Sequence, residues 1–234
     1  LCAAEALRIN GITATAAAGH SLGEYAAMVY TGMVSRTDGF KLIKARSLAM
    51  QKAAENSSGA MFAIIGSTPA DIEKVCAETE GYVVPVNYNS SVQTVIAGEE
   101  AAAQAAADTL AAAGARAIRL NVAAAFHSKL MQGAADEFKP AAEQISFKTP
   151  EITMLSNISG TVLDSIDNMP ERLALHIVSP VKFTSELAYL SENGYDTFVE
   201  CGPGKVLTGL VKKTLKGVNA MNVQDADTLA KVIG

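Results

Sequence analysis

Apolar and polar positions along the chain follow two periods, and the switches between them mark out alternating helices and strands. Amphipathic stretches predict helices near 2–9, 22–31, 36–55, 128–145, 170–177, 183–193 and 204–214. Short aliphatic runs predict strands at 61–66, 82–87, 94–98 and 115–121, separated by helical patterns at 69–79 and 99–113. Ile12 to Ala18 is small and β-branched and reads as a buried strand leading into the helix that starts near Leu22. Strands alternating with helices argue for α/β layering.

The order from 59 to 122 is β-α-β-β-α-β, the signature of a ferredoxin-like split βαβ unit. It reads as a small domain opened by a hinge at Ser57-Ser58-Gly59 and inserted into a larger one made of 1–58 and 123–234. The alanine-rich run 101–113 has no second copy, so it reads as a closely packed helix face rather than a repeat.

Composition narrows the class. With 49% hydrophobic residues in 234, the chain can bury one sizeable core and a smaller satellite. Its apolar runs are broken by charge or glycine well short of the roughly 18 residues that span a bilayer. Leu1 to Arg8 lacks a basic-then-apolar signal layout, so neither membrane insertion nor export is expected. Cys2, Cys76 and Cys201 are odd in number and far apart, which indicates neither a disulfide framework nor a metal knuckle and points to the reducing cytoplasm. A net charge of −5 without interleaved aromatics argues against nucleic acid as a partner. Lys205, Lys212, Lys213 and Lys216 nevertheless form a local basic cluster, either a docking surface or an ordinary solvated helix face.

Candidate chemistry centres on Gly19-His20-Ser21-Leu22-Gly23, which fits the Gly-x-Ser-x-Gly nucleophile elbow between a strand-like and a helix-like run. Ser21 is then a nucleophile on a strained turn whose helix N-terminus directs backbone N–H groups at developing charge; the alternative is a tight turn with a satisfied hydroxyl. A serine nucleophile needs a neutral base nearby. His20 would point away by its place in the elbow, leaving His127 in Ala125-Phe126-His127-Ser128, or His176. His176 follows an amphipathic pattern that suits packing, and His127 could also cap the helix it heads. Arg46 shares a helix face with Leu42, Ala45 and Ala49. An inward guanidinium calls for an anion, either a substrate carboxylate held by two parallel hydrogen bonds or an internal acid.

Together these residues carry a family resemblance. Gly-His-Ser-Leu-Gly-Glu-Tyr at 19–25, the arginine of the next long helix, Asn87-Tyr88-Asn89 with Gln93 and Ile96-Ala97-Gly98, Phe126-His127-Ser128, Ser156-Asn157, Ser179-Pro180-Val181 and Glu200-Cys201-Gly202-Pro203-Gly204-Lys205-Val206-Leu207 resemble the malonyl-CoA:acyl carrier protein transacylases. The match runs through nearly the whole chain, in the family's order. It implies an α/β-hydrolase-like core with an inserted ferredoxin-like small subdomain, and malonyl transfer from malonyl-CoA to the phosphopantetheine thiol of acyl carrier protein in fatty acid synthesis. Acyltransferase domains of polyketide synthases share these motifs; with no flanking ketosynthase or carrier segment in view, a stand-alone enzyme is expected.

By this resemblance Ser21 is the nucleophile, His127 the acid and base, the N–H of Leu22 an oxyanion donor, and Arg46 the clasp for the malonyl carboxylate. Asn89, Phe126 and Lys182 join the substrate side, Phe126 in the version of its segment associated with malonyl rather than branched units. A coenzyme A thioester is the substrate and no cofactor or metal is implied. Lys205, Lys212 and Lys213 are the expected docking residues for the acidic carrier. Two departures stand out. The family begins with a strand and a Gly-Gln-Gly loop whose glutamine gives a second oxyanion contact; this sequence starts at Leu1 without them, which implies an N-terminally incomplete chain. Lys182 stands where well-known members have glutamine, a position whose backbone carbonyl is expected to orient the histidine. The rivals are an esterase or lysophospholipase, which predicts a third acid and no buried arginine, and a catalytically silent carrier-binding module.

Overall fold

The computed structural model describes residues 1–55, 58–122 and 124–234. Helix α1 (Cys2–Ile9) leads to β1 (Ala16–Ala17), α2 (Leu22–Tyr30) and the long α3 (Arg36–Glu55). Next come β2 (Gly59–Ile65), α4 (Pro69–Glu78), β3 (Val83–Ser90), β4 (Gln93–Glu99), α5 (Glu100–Ala112) and β5 (Arg116–Arg119). The chain continues through α6 (Gln132–Ala142), β6 (Thr153–Ser156), β7 (Thr161–Val162), α7 (Met169–Val178) and α8 (Phe183–Glu192). It closes with β8 (Thr197–Cys201), α9 (Val206–Thr214), β9 (Asn219–Val223) and α10 (Ala226–Ile233). The hinge expected at Ser57 and the boundary at 123 lie outside the described residues.

Strands β2 to β5 form one antiparallel sheet in the order β3-β4-β2-β5. Both of its faces are covered. Ala60, Phe62 and Ile64 of β2 pack under α4 and α5 with Ile72, Ala103, Ala106 and Leu110, while Met61 and Ala63 face Val86, Val95 and Ala125. That two-sided burial is why β2 reads as a continuous apolar run instead of an alternation. The alanines of α5 let the helix sit close against the sheet.

A larger core joins Tyr25 and Met28 of α2, Leu42 and Ala49 of α3, Phe138 of α6, and Leu173 and Ile177 of α7. Beside it β1 pairs in parallel with β6, and β8 in parallel with β9. Edge strand β3, which tolerates Pro85 because its free side needs few ladder donors, meets the α7–α8 connection: Val181 N–H donates to Val86 at 2.8 Å and Tyr88 N–H to Val181 at 2.9 Å. Close by, Asn89 of β3 bonds His20 of the turn before α2.

Two expected elements differ. The strand expected over 12–18 shortens to Ala16–Ala17 because only these two residues find partners, Thr153 and Met154. The helix expected over 128–145 instead opens with a 3₁₀ turn, Lys129–Met131, and becomes α-helical from Gln132 to Ala142. His127 has φ +63°, which no helix accommodates, and the Ser128 hydroxyl, not the histidine, caps the turn at the Leu130 N–H. Cys2, Cys76 and Cys201 are all free thiols. Among the described residues no helix is long and apolar enough to cross a membrane.

Candidate active site

The turn between β1 and α2 puts Ser21 at φ +53°, ψ −107°. A non-glycine residue there stores about 1–3 kcal/mol of strain, which the surroundings must hold in place. Gly19 is sterically required: a Cβ on it would lie 2.0 Å from the carbonyl carbon of Gly23. Gly23 is not required on its own account, since its Cβ would meet nothing within 4 Å. The Ser21 N–H is taken by Asn157 Oδ1 at 2.7 Å. Leu22 opens α2, so its N–H has no intrahelical acceptor and is the donor left to the turn.

His127 also holds a positive φ, and its Nε2 lies 2.7 Å from Ser21 Oγ. On its other side Nδ1 faces two carbonyls, His176 O and Ser179 O, both at 3.1 Å. Two acceptors at Nδ1 require its hydrogen there, so the Nε2 lone pair receives the Ser21 hydroxyl proton. Among the described residues no carboxylate takes part. The carbonyl of Lys182, expected in this role, instead accepts the N–H groups of Ser185 and Glu186 at the start of α8. Burial, and next the charge of Arg46, push the His127 pKa down to about 4, so the imidazole is a neutral base at physiological pH.

Arg46 is buried on the inward face of α3, and its Nη2 donates to Ser21 Oγ at 2.9 Å. Its guanidinium carbon stands 5.4 Å from the centre of the Tyr25 ring, and its Nε has no partner among the described residues. The internal ion pair considered from sequence is absent: no carboxylate lies within 4.0 Å of Arg46 among the described residues. A buried cation with a spare donor beside a nucleophile is a site for an anion. Burial also lowers its pKa.

His20 turns away from the hydroxyl, bonding Asn89 Oδ1 at 2.7 Å and meeting the edge of Phe183 at 5.5 Å between ring centres. A cavity of about 360 Å³ beside this pair is lined by His20, Asn89, Gln93, Lys205, Leu207 and Lys213. Phe126, half-buried, touches both the main core and the underside of the antiparallel sheet. Lys182 precedes α8 and donates its N–H to the Asn157 carbonyl at 2.9 Å. Lys205, Lys212 and Lys213 are exposed at and along α9. Thus Ser21, His127 and Arg46 meet at one hydroxyl, Asn89, Lys205 and Lys213 line the adjoining cavity, and Lys212 lies on the outer surface.

The sequence reading gave no role to Asn157, Glu24 or Glu186, all buried behind the elbow. Glu186 carries a legible signal, since it shares the apolar stripe of Phe183, Leu187 and Leu190. Burial raises Glu24 to about 7 against the opposing Asn157 N–H bond, and raises Glu186 well above the carboxylate range.

The acyl transferase domain model matches residues 1–233. The malonyl CoA-acyl carrier protein transacylase of Escherichia coli K12 is 38% identical over 219 residues, covering 92% of this chain and 71% of that protein. That of Bacillus subtilis 168 is 36% identical over 233 residues, covering 98% and 74%. Among solved structures, the transacylase from Clostridium perfringens superposes with a TM-score of 0.94 at 36% identity, covering 98% of this chain and 73% of that one. A malonyl-transacylase in complex with its type II polyketide synthase acyl carrier protein gives 0.92 at 35% identity, covering 98% and 75%.

Proposed function

The chain belongs to the acyl transferase domain family, and on that premise we propose that it moves a malonyl group from malonyl-CoA to the phosphopantetheine thiol of acyl carrier protein in fatty acid synthesis. One observation carries the reading: Ser21 Oγ lies within hydrogen-bond distance of both a neutral imidazole and a buried guanidinium.

Ser21 Oγ attacks the thioester carbonyl as its proton passes to His127 Nε2. The Leu22 N–H faces the oxyanion, a contact worth about 3 kcal/mol in comparable sites. Collapse breaks the carbon–sulfur bond, and His127 returns its proton to the departing coenzyme A sulfur. The carrier's thiol then gives its proton to His127 and attacks the malonyl-serine ester, regenerating the serine. Arg46 clasps the free carboxylate; an acetyl group leaves that buried cation unpaired, which is the basis of selection. Hydroxyl, imidazole and guanidinium suffice for this chemistry, so the thioester is the substrate and no resident cofactor is required.

The cavity beside His20 and Asn89 suits the pantetheine arm, with Phe126 and Lys182 flanking the acyl side. Lys205, Lys212 and Lys213 suit an acidic carrier docked at α9. We read 59–122, with its sheet order β3-β4-β2-β5, as a ferredoxin-like subdomain inserted into an α/β-hydrolase-like core of 1–58 and 123–234. The cytoplasm, where coenzyme A thioesters and carrier meet, is the proposed compartment. Carbonyls at His127 Nδ1 and a buried arginine favour a transferase over an esterase, which would place an acid there.

Incubation with malonyl-CoA followed by intact-mass measurement tests the proposal. A malonyl adduct on Ser21 that disappears when carrier is added supports it. Rapid loss to water instead indicates a hydrolase, and no adduct indicates a silent module.

A further inference from the structure

Asn157 has no exposed surface, and every polar group it owns is engaged. Its Oδ1 accepts the Ser21 N–H at 2.7 Å and faces His176 Nε2 at 3.1 Å. Its Nδ2 donates to the Gly19 carbonyl at 2.5 Å and to Glu186 Oε1 at 2.8 Å. The main chain is held as well, the N–H by Glu24 Oε2 at 3.0 Å and the carbonyl by the Lys182 N–H at 2.9 Å. Turning the amide over would set its NH₂ against the Ser21 N–H and its oxygen against two oxygens, so one orientation is fixed. The side chain therefore grips the elbow on both sides of His20, at the residue whose φ is +53°.

His176 completes the arrangement. With the Asn157 oxygen as acceptor, its Nε2 carries the hydrogen, and complete burial keeps the ring neutral. Its own carbonyl accepts the His127 Nδ1–H at 3.1 Å. One residue thus touches both halves of the catalytic pair: its main chain orients the base, and its ring, through Asn157, orients the turn that carries the nucleophile.

Resting on the transferase reading above, we propose that Asn157 is a positioning residue that keeps the strained Ser21 turn in register with His127, and that the N–H of His176 locks Asn157 in that role. The reacting atoms must align closely, and misplacement by about 1 Å costs on the order of a hundredfold in rate. The defect from losing the clamp therefore falls on kcat, with binding of the thioester, made elsewhere, little changed.

Asn157→Ala, His176→Leu and His176→Gln test this. Leucine keeps volume and main chain but offers no donor; glutamine restores an N–H at similar reach. The measurements are thermal unfolding, the rate of malonyl-Ser21 formation by rapid quench and intact mass, and KM for malonyl-CoA. In Asn157→Ala, loading per folded molecule should fall tenfold to a hundredfold with KM within about twofold. His176→Leu should be slowed about tenfold and His176→Gln should return to within about threefold of the wild type. Wild-type loading in folded Asn157→Ala, or equal rates for the leucine and glutamine variants, overturns the proposal while leaving the transferase reading intact. Should Asn157→Ala not fold, the leucine–glutamine comparison decides alone. A wild-type chain that never loads overturns both.

Discussion

Ser21 donates its proton towards His127 while accepting a bond from Arg46, and burial, with the charge of that same cation second, holds the imidazole neutral. The sign of the pH dependence follows. A base whose pKa lies near 4 stays deprotonated above that value, so kcat/KM for loading should be flat from about pH 8 to pH 6 and fall only as pH drops towards 4. A pH–rate profile checks this; a fall centred on 6.5, the ordinary imidazole value, would show the base to be solvated. Ser21, His127 and Arg46 were legible because an elbow motif, a scarcity of histidines and a helical stripe each leave a mark in sequence. Asn157 and the Ser179 carbonyl were not, because a hydrogen bond between residues 136 apart, or to a main-chain oxygen, leaves no period or residue type to read.

The elbow works as an element because Gly19 lies against the Gly23 backbone. Gly19→Ala should displace the turn and reduce Ser21 acylation at least a hundredfold, measured by intact mass, whereas Gly23→Ala meets open space and should retain more activity. Deeper in the core, Phe138 of α6 is fully buried against Tyr25, the ring beneath Arg46. Phe138→Ala should lower stability by about 3–5 kcal/mol in denaturant unfolding. The block from β2 to β5 was legible in sequence because β2, β3 and β4, of seven or eight residues, and the block's two helices show their periods, and the short β5 closes a recognisable β-α-β-β-α-β order. Strands β6 to β9, of two to five residues, were not individually visible; their pairing is decided by tertiary neighbours.

Across the whole molecule a net charge of −5 repels an acidic carrier, so productive encounters depend on where the lysines sit. Lys212 lies outside the cavity that Lys205 and Lys213 line. Lys212→Glu should therefore raise KM for carrier and flatten its salt dependence while leaving loading from malonyl-CoA nearly unchanged, as steady-state kinetics at two ionic strengths will show. Composition alone foretold the need for a local surface, but only the fold reveals which lysine is separable from the cavity. On the proposed function, one hydroxyl, one imidazole and one guanidinium act on a single acyl group. That is tested most directly by the ratio of malonyl to acetyl loading rates on Ser21, compared between the wild type and Arg46→Ala. This ratio should collapse at least tenfold because only malonyl loses its partner; an equal loss for both acyl groups would overturn the carboxylate clasp by Arg46.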